Sequence, residues 1–355
     1  FLNVKKDFGS LTAKRFLKFS AFMQGGFDGL NIFDKQKFDM TNTAVMREMG
    51  DVTNQGGKQG ATVATFRKAV DVMGEKSDVD IQLLAIPGIR HESVTDYTMD
   101  AIEERFDAVY IMDIEERDKL NNVVTSSITQ KTSVTYTAQA FKGRNLDNSF
   151  AAAYFPDVVV RDPATQTNVQ CPPSVGVLGA FSKNDAIAHP WFAPAGFTRG
   201  AMDSVIESQV KLSRDNLDTL YDVDINPITA FPQTPGVVVF GQKTLQAAQS
   251  ALDRVNVRRL LIDVRRKVKG VANSILFEPN RAETLARFST AVEPILAQIQ
   301  AQQGIDRFKV VIDTSTTTKI DVENNTIRGK IFLQPTPSVE FISLDFVVTN
   351  AGAEI

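Results

Sequence analysis

Two predominantly apolar runs, residues 79–86 and 108–114, alternate with segments of helical periodicity at 63–73 and 95–106. Continuous apolar strands separated by helices belong to a parallel sheet covered on both faces, because both sides of such a strand must be buried. This pattern predicts an α/β fold, a mixed sheet flanked by helices. Two longer helical patterns follow, at about 254–272 and 281–303, and strand-like runs lie at 308–312, 327–333 and 339–349. They predict a C-terminal α+β domain of two long helices and terminal strands. Pro232 and Pro235 punctuate the chain before it. Three parts are therefore expected: an N-terminal segment, 1–24, packing on the C-terminal domain; a central α/β domain, 25–230; and the C-terminal domain, 231–355.

A chain of 355 residues can build its core without disulfides or structural metals. Its 39 basic and 42 acidic residues nearly cancel, which argues against bulk binding to nucleic acid or an anionic membrane. No apolar run approaches the roughly 18 residues of a spanning helix, so no membrane insertion is expected. The single Cys171 excludes an intrachain disulfide and fits a reducing compartment. The chain begins at Phe1 without a signal-peptide pattern and is expected to be part of something longer.

Clustered nucleophiles, bases or metal ligands would mark a catalytic site, and the sequence offers none. His91 and His189 lie far apart, and one Cys cannot build a Cys-based zinc site. Gly56-Gly57-Lys58 has neither the upstream Gly nor the following Ser or Thr of a phosphate loop, since Val52 and Gln59 stand there. Adjacent acids at Glu103-Glu104 and Glu115-Glu116 point about 100° apart on a helix and make poor proton-sharing pairs. The expectation is no catalytic residue, no metal and no cofactor. The competing reading is a doubly wound α/β enzyme acting on a small molecule at the strand C-termini. Against it, Pro87-Gly88 and Asp113-Ile114 offer little beyond one acid at that edge.

Two surface features carry candidate binding residues. In the first long helix Val257, Leu260, Leu261, Val264 and Val268 form a core stripe, while Arg258, Arg265, Arg266 and Lys269 recur on one outer face. Such a face is either simply solvated or meets an acidic partner. Asp263 and Lys267 have the spacing of a helical ion pair. At the end of the chain Ile342, Leu344, Phe346 and Val348 alternate on one side of a strand, with Phe341 on the other. A terminal strand apolar on both sides either closes its own sheet or pairs with a neighbouring chain.

Several segments, in this order, resemble the sheath proteins of contractile injection machines, namely myovirus-type phage tails and pyocin-type particles. They include Gly25-Gly26-Phe27-Asp28-Gly29, the stretch 79–89, Ala151-Ala152-Ala153-Tyr154-Phe155-Pro156 and Cys171-Pro172-Pro173-Ser174. Trp191 with Ala193-Pro194-Ala195-Gly196, the stretches 224–228 and 235–245, Val257-Arg258-Arg259-Leu260-Leu261, Phe277-Glu278-Pro279-Asn280 and 334–342 complete the series. The family often has Trp where Phe240 stands. The resemblance implies a structural subunit that polymerises as a helical homo-oligomer of six-fold rings around an inner tube. Contraction of such a sheath drives the tube through a host cell envelope for genome ejection. It implies the tail tube, baseplate and tail-terminator proteins as partners, a place in the virion tail after assembly in the host cytoplasm, and no cofactor. On that reading the basic helix face meets the tube and the terminal strand links subunits.

Overall fold

The computed structural model describes residues 40–340, apart from 53–55, 126–129, 233–235, 313–315, 318–320 and 322. The N-terminal segment, the glycine cluster at 25–29 and the expected linking residues Phe341, Ile342, Leu344, Phe346 and Val348 lie outside the described residues. The chain forms two compact units, residues 1–66 and 67–355.

In the first unit, helix α1 (Asn42–Gly50) is capped by the Thr41 side chain, which accepts from the Ala44 amide. The glycines 56 and 57 take positive φ values of 87° and 51°, turning the chain into helix α2 (Ala61–Gly74). The buried Glu48 carboxylate accepts from the Thr62 and Val63 amides at 2.9 Å. A helix N-terminus favours negative charge, and here the chain's own carboxylate supplies it. The Gly56-Gly57-Lys58 turn is thus a self-filled helix entry.

The second unit is built on a six-stranded sheet. Its strands are β1 (Leu83–Ala85), β2 (Val109–Asp113), β3 (Ala151–Phe155), β6 (Ala201–Met202), β8 (Ile225–Ala230) and β9 (Val237–Val239), in the order β1-β2-β3-β8-β9-β6. The first four are parallel, and β9 and β6 add antiparallel strands. Only 83–85 of the apolar run 79–86 pairs as strand. Side chains alternate across the sheet. Tyr110, Met112, Ala153 and Ile225 meet α3 (Glu92–Arg105), α4 (Val134–Lys142) and α7 (Arg214–Tyr221). Val109, Ile111, Tyr154 and Val239 meet α5 (Pro173–Ile187) and the start of α8 (Val255–Ser274). Every residue of β2 and β3 is buried, as the continuous apolar runs require. Strands β4 (Val158–Arg161), β5 (Asn168–Cys171) and β7 (Val205–Ser208) form a separate antiparallel sheet, and a four-residue helix α6 (Gly196–Arg199) precedes β6.

A third core joins α8, α9 (Ala282–Ala301) and the hairpin of β10 (Ile305–Val311) and β11 (Lys330–Pro335). Leu260, Val264, Leu285, Val292, Leu296 and Trp191 fill it. The boundary expected at 231 does not separate two domains at that point. Ile228 pairs with Val239, and Ala230 with Val237, so residues on both sides of 231 share one sheet. The prolines that suggested a linker punctuate the β8–β9 connection instead.

Candidate assembly surfaces

At the C-terminal edge of the parallel strands, where a doubly wound enzyme would bind its ligand, the acid that ends β2 is met by the chain's own donors, and a cavity of about 460 Å³ beside it is lined by Arg90, Glu115, Arg117 and Arg144. Asp113, the last residue of β2, accepts from the Gly88 amide at 2.9 Å, the Ser174 amide at 2.9 Å and the Ser174 hydroxyl at 2.8 Å. Ser174 lies in the first turn of α5, so a buried carboxylate again occupies a helix N-terminus. Burial pushes the Asp113 carboxyl above its ordinary range, against these donors and the Arg90 charge. Beside it, Arg90 pairs with Asp157 and faces Glu116 at 3.7 Å. Burial, then the Asp157 charge, raises Glu116 as well. Gln170 Nε2 donates to Asp157 at 2.8 Å, and the Thr132 hydroxyl donates to Glu116. Glu116 lies three residues beyond Asp113, but Arg90 and Asp157 meet across 67 residues, and no local signal links them. Among the described residues no group of three His, Cys, Asp or Glu is placed to hold a metal ion.

The four basic residues of α8 do not share one exposed face. Arg258 is buried: its guanidinium lies 3.9 Å from the Phe150 ring centroid, and Nε donates to the Ser149 carbonyl at 3.2 Å. Burial lowers its pKa to about 10, opposed by the charge of Glu103. Arg266 donates to the Ile81 carbonyl at 3.2 Å and pairs with Asp80. Arg265 is exposed and lies 5.2 Å over the Phe106 ring, and Lys269 is exposed. The first half of α8 faces inward on nearly all sides, so helical spacing alone could not tell which arginines reach solvent. The Asp263–Lys267 pair forms as its spacing suggests, at 2.7 Å.

A groove of about 620 Å³ opens where α8 begins and α9 ends. Trp191, Phe192, Tyr221, Phe240 and Val339 give it an aromatic and apolar lining. Trp191 is fixed by its Nε1 donating to the Gln302 carbonyl at 3.1 Å and by a stacked His189 ring at 4.6 Å. Phe197, Phe231 and Phe240 form an aromatic cluster at its rim, with Phe197 and Phe240 exposed. Residues 336–340 form one wall and are latched to the body. Glu340 pairs with Arg254 at 2.7 Å and accepts from Gln242 at 3.0 Å. Asn256 donates to Ser338 at 3.0 Å, and Thr336 donates to Asp306 at 2.6 Å. The side-chain oxygens of Gln242 and Asn256 have no hydrogen-bond partner among the described residues.

The other end of the α8–α9 pair carries an apolar tip. Leu276 is 61% exposed and Phe277 is fully exposed, with Phe277 at a φ of +67° that side chains other than Gly adopt rarely. The Thr284 hydroxyl donates to the Pro279 carbonyl at 2.7 Å, and Asn280 Nδ2 to the Thr326 carbonyl at 3.1 Å. Glu278 pairs with Arg287 at 3.3 Å. A large apolar residue in a braced turn between two long helices was the available sequence signal.

Residues 247–349, which hold α8, α9, the β10–β11 hairpin and the latched segment, match the phage tail sheath C-terminal domain family. Over most of its length the chain is also similar to tail sheath proteins of phages. It is 26% identical over 316 residues to the tail sheath protein of Enterobacteria phage T4, covering 86% of this chain and 48% of that protein. It is 33% identical over 193 residues to the tail sheath protein of Vibrio phage KVP40, covering 54% of this chain and 29% of that protein. The chain thus spans less than half the length of these relatives. Solved structures share the fold. A chain of the six-fold symmetrised anti-feeding prophage baseplate aligns with a TM-score of 0.64 at 20% identity, over 86% of this chain and 80% of that one. A chain of the PVC sheath complex in its contracted state aligns at 0.62 and 22%, over 76% and 71%.

Proposed function

We propose that this protein is a structural subunit of a contractile tail sheath. It polymerises as six-fold rings wound around an inner tube, and contraction drives the tube through a host cell envelope. The observation that carries this reading is the ordered similarity to a phage tail sheath protein over 316 residues, joined to the C-terminal sheath-domain match. The protein takes its place in the virion tail after assembly in the host cytoplasm. Its partners are further copies of itself, the tail tube, and baseplate and tail-terminator proteins; nucleic acid and membrane insertion have no part.

Arg265, Arg266 and Lys269 face the tube on this reading, while Arg258 holds α8 against the sheet. Exposed ion pairs are worth at most about 1 kcal/mol each and weaken in salt, which suits a sheath that must release its tube. Phe341, Ile342, Leu344, Phe346 and Val348 are the subunit-linking residues on this reading. Electron microscopy of the full-length protein with and without its tube tests the function. Helical sleeves of stacked rings are expected, and a protein that stays monomeric at high concentration with tube present contradicts it.

A further inference from the structure

We propose that the Leu276–Phe277 tip of one copy seats in the aromatic groove of a second copy. The inference rests on the sheath reading and gives it a subunit contact. Tip and groove lie at opposite ends of one rigid element. Asn256, in the first turn of α8, lines the groove, and the tip follows the last turn of the same helix. Twenty residues of helix at 1.5 Å each separate them by about 30 Å, so the tip cannot reach its own groove.

Both halves are prepared for contact. A fully exposed Phe leaves unburied the roughly 150–250 Å² that such a side chain covers when packed. Its turn is nevertheless braced at Glu278, Pro279 and Asn280, and the positive φ of Phe277 is held there rather than relaxed. The groove offers about 620 Å³ beside Trp191 and Phe240, room for both apolar side chains of the tip. Two side chains are an anchor inside a larger interface rather than an interface by themselves.

A second copy is the occupant because every copy carries both the knob and the hole. Such a contact is heterologous, joining unlike surfaces head to tail, and repetition closes it into a ring or winds it into a helix. A partner that bound only the tip would leave the groove unexplained, and a small ligand in the groove would leave the tip unexplained.

The test links two engineered cysteines, Leu276→Cys and Val339→Cys, in full-length Cys171→Ser protein, with a short bis-maleimide. The double variant is expected to give a ladder of dimers, trimers and longer covalent oligomers, while either single variant stops at dimers. In parallel, Phe277→Ser should raise the concentration needed for sleeve formation at least tenfold, and Phe277→Leu should restore it. Sleeves whose subunits stay unlinked overturn the inference and leave the sheath reading standing. A ladder without sleeves supports the contact and overturns the sheath reading. Phe277→Ser sleeves that form at the usual concentration but fail to hold the tube place the tip on the tube, and overturn the inference.

Discussion

Two regions of the second unit differ in what they leave exposed. At the C-terminal edge of the parallel strands, Asp113 is met by three donors, and Arg90 lies between Asp157 and Glu116. At the groove, two buried amide oxygens lack partners among the described residues, and aromatic rings stand exposed around them. The first place is where this type of fold ordinarily binds ligands, yet there Asp113 is closed over by the chain's own donors. The second carries the exposed Phe197 and Phe240 rings that the proposed subunit contact would cover. On the proposed reading the sheet is a scaffold, and subunits meet at the ends of the α8–α9 pair.

Breaking the closed edge should cost most. Arg90→Met leaves Asp157 and Glu116 buried without their counter-charge and should destabilise by about 3–5 kcal/mol, measured by urea unfolding. A loss below about 1 kcal/mol would show that this edge is wet rather than closed. At the groove floor, a Cβ on Gly304 would stand 2.8 Å from Ile299 Cγ2 and 3.1 Å from two Trp191 ring atoms. Gly304→Ala should therefore cost about 1–3 kcal/mol and shift Trp191 fluorescence.

The pH dependence sharpens the contrast further. Burial raises Asp113, so the folded state holds an extra proton between the ordinary carboxylate pKa near 4 and the raised value. Its contribution to stability is complete below that window and falls as pH rises through it, by about 1.4 kcal/mol for every tenfold fall in proton concentration. Asp113→Asn removes the titration. The stability of the native protein relative to this variant should decline from pH 4 upward, seen by urea unfolding across pH. A relative stability that rises instead would mean the three donors outweigh burial.

Smaller effects are expected at the tip and on the basic face. Phe277→Asn puts a residue that tolerates positive φ where Phe is strained, so monomer stability should stay within about 1 kcal/mol of the native value by thermal unfolding. Reversing Arg265 and Lys269 together should change monomer stability by less than about 1 kcal/mol, whereas reversing Arg258 should unfold the packing on Phe150.

Much of the scaffold was readable from local pattern. The run at 108–112 has apolar residues at every position because both faces are covered, and the pattern reports that directly. The limits of α8 and α9 followed from their stripes to within about two residues. What sequence could not supply is orientation about the helix axis and contact at a distance. Arg258 and Arg265 have the same helical phase, yet one lies under Phe150 and the other in solvent, because α8 passes from the sheet to the protein surface along its length. Arg90 and Asp157 meet across 67 residues, and the groove joins residues from 191 to 340. The boundary at 231 failed for a related reason: proline marks a turn, and only strand pairing tells whether the turn lies between domains or within a sheet.

Hydrogen–deuterium exchange on the full-length protein, compared between monomer and assembled sleeve, tests the closed-edge and open-groove account most directly. The account predicts new protection on assembly at 191–196, 240–242, 276–278 and 336–340, with 87–90 and 113–116 already protected in the monomer and unchanged. New protection at 87–90 and 113–116 with the groove and tip unaltered would contradict it.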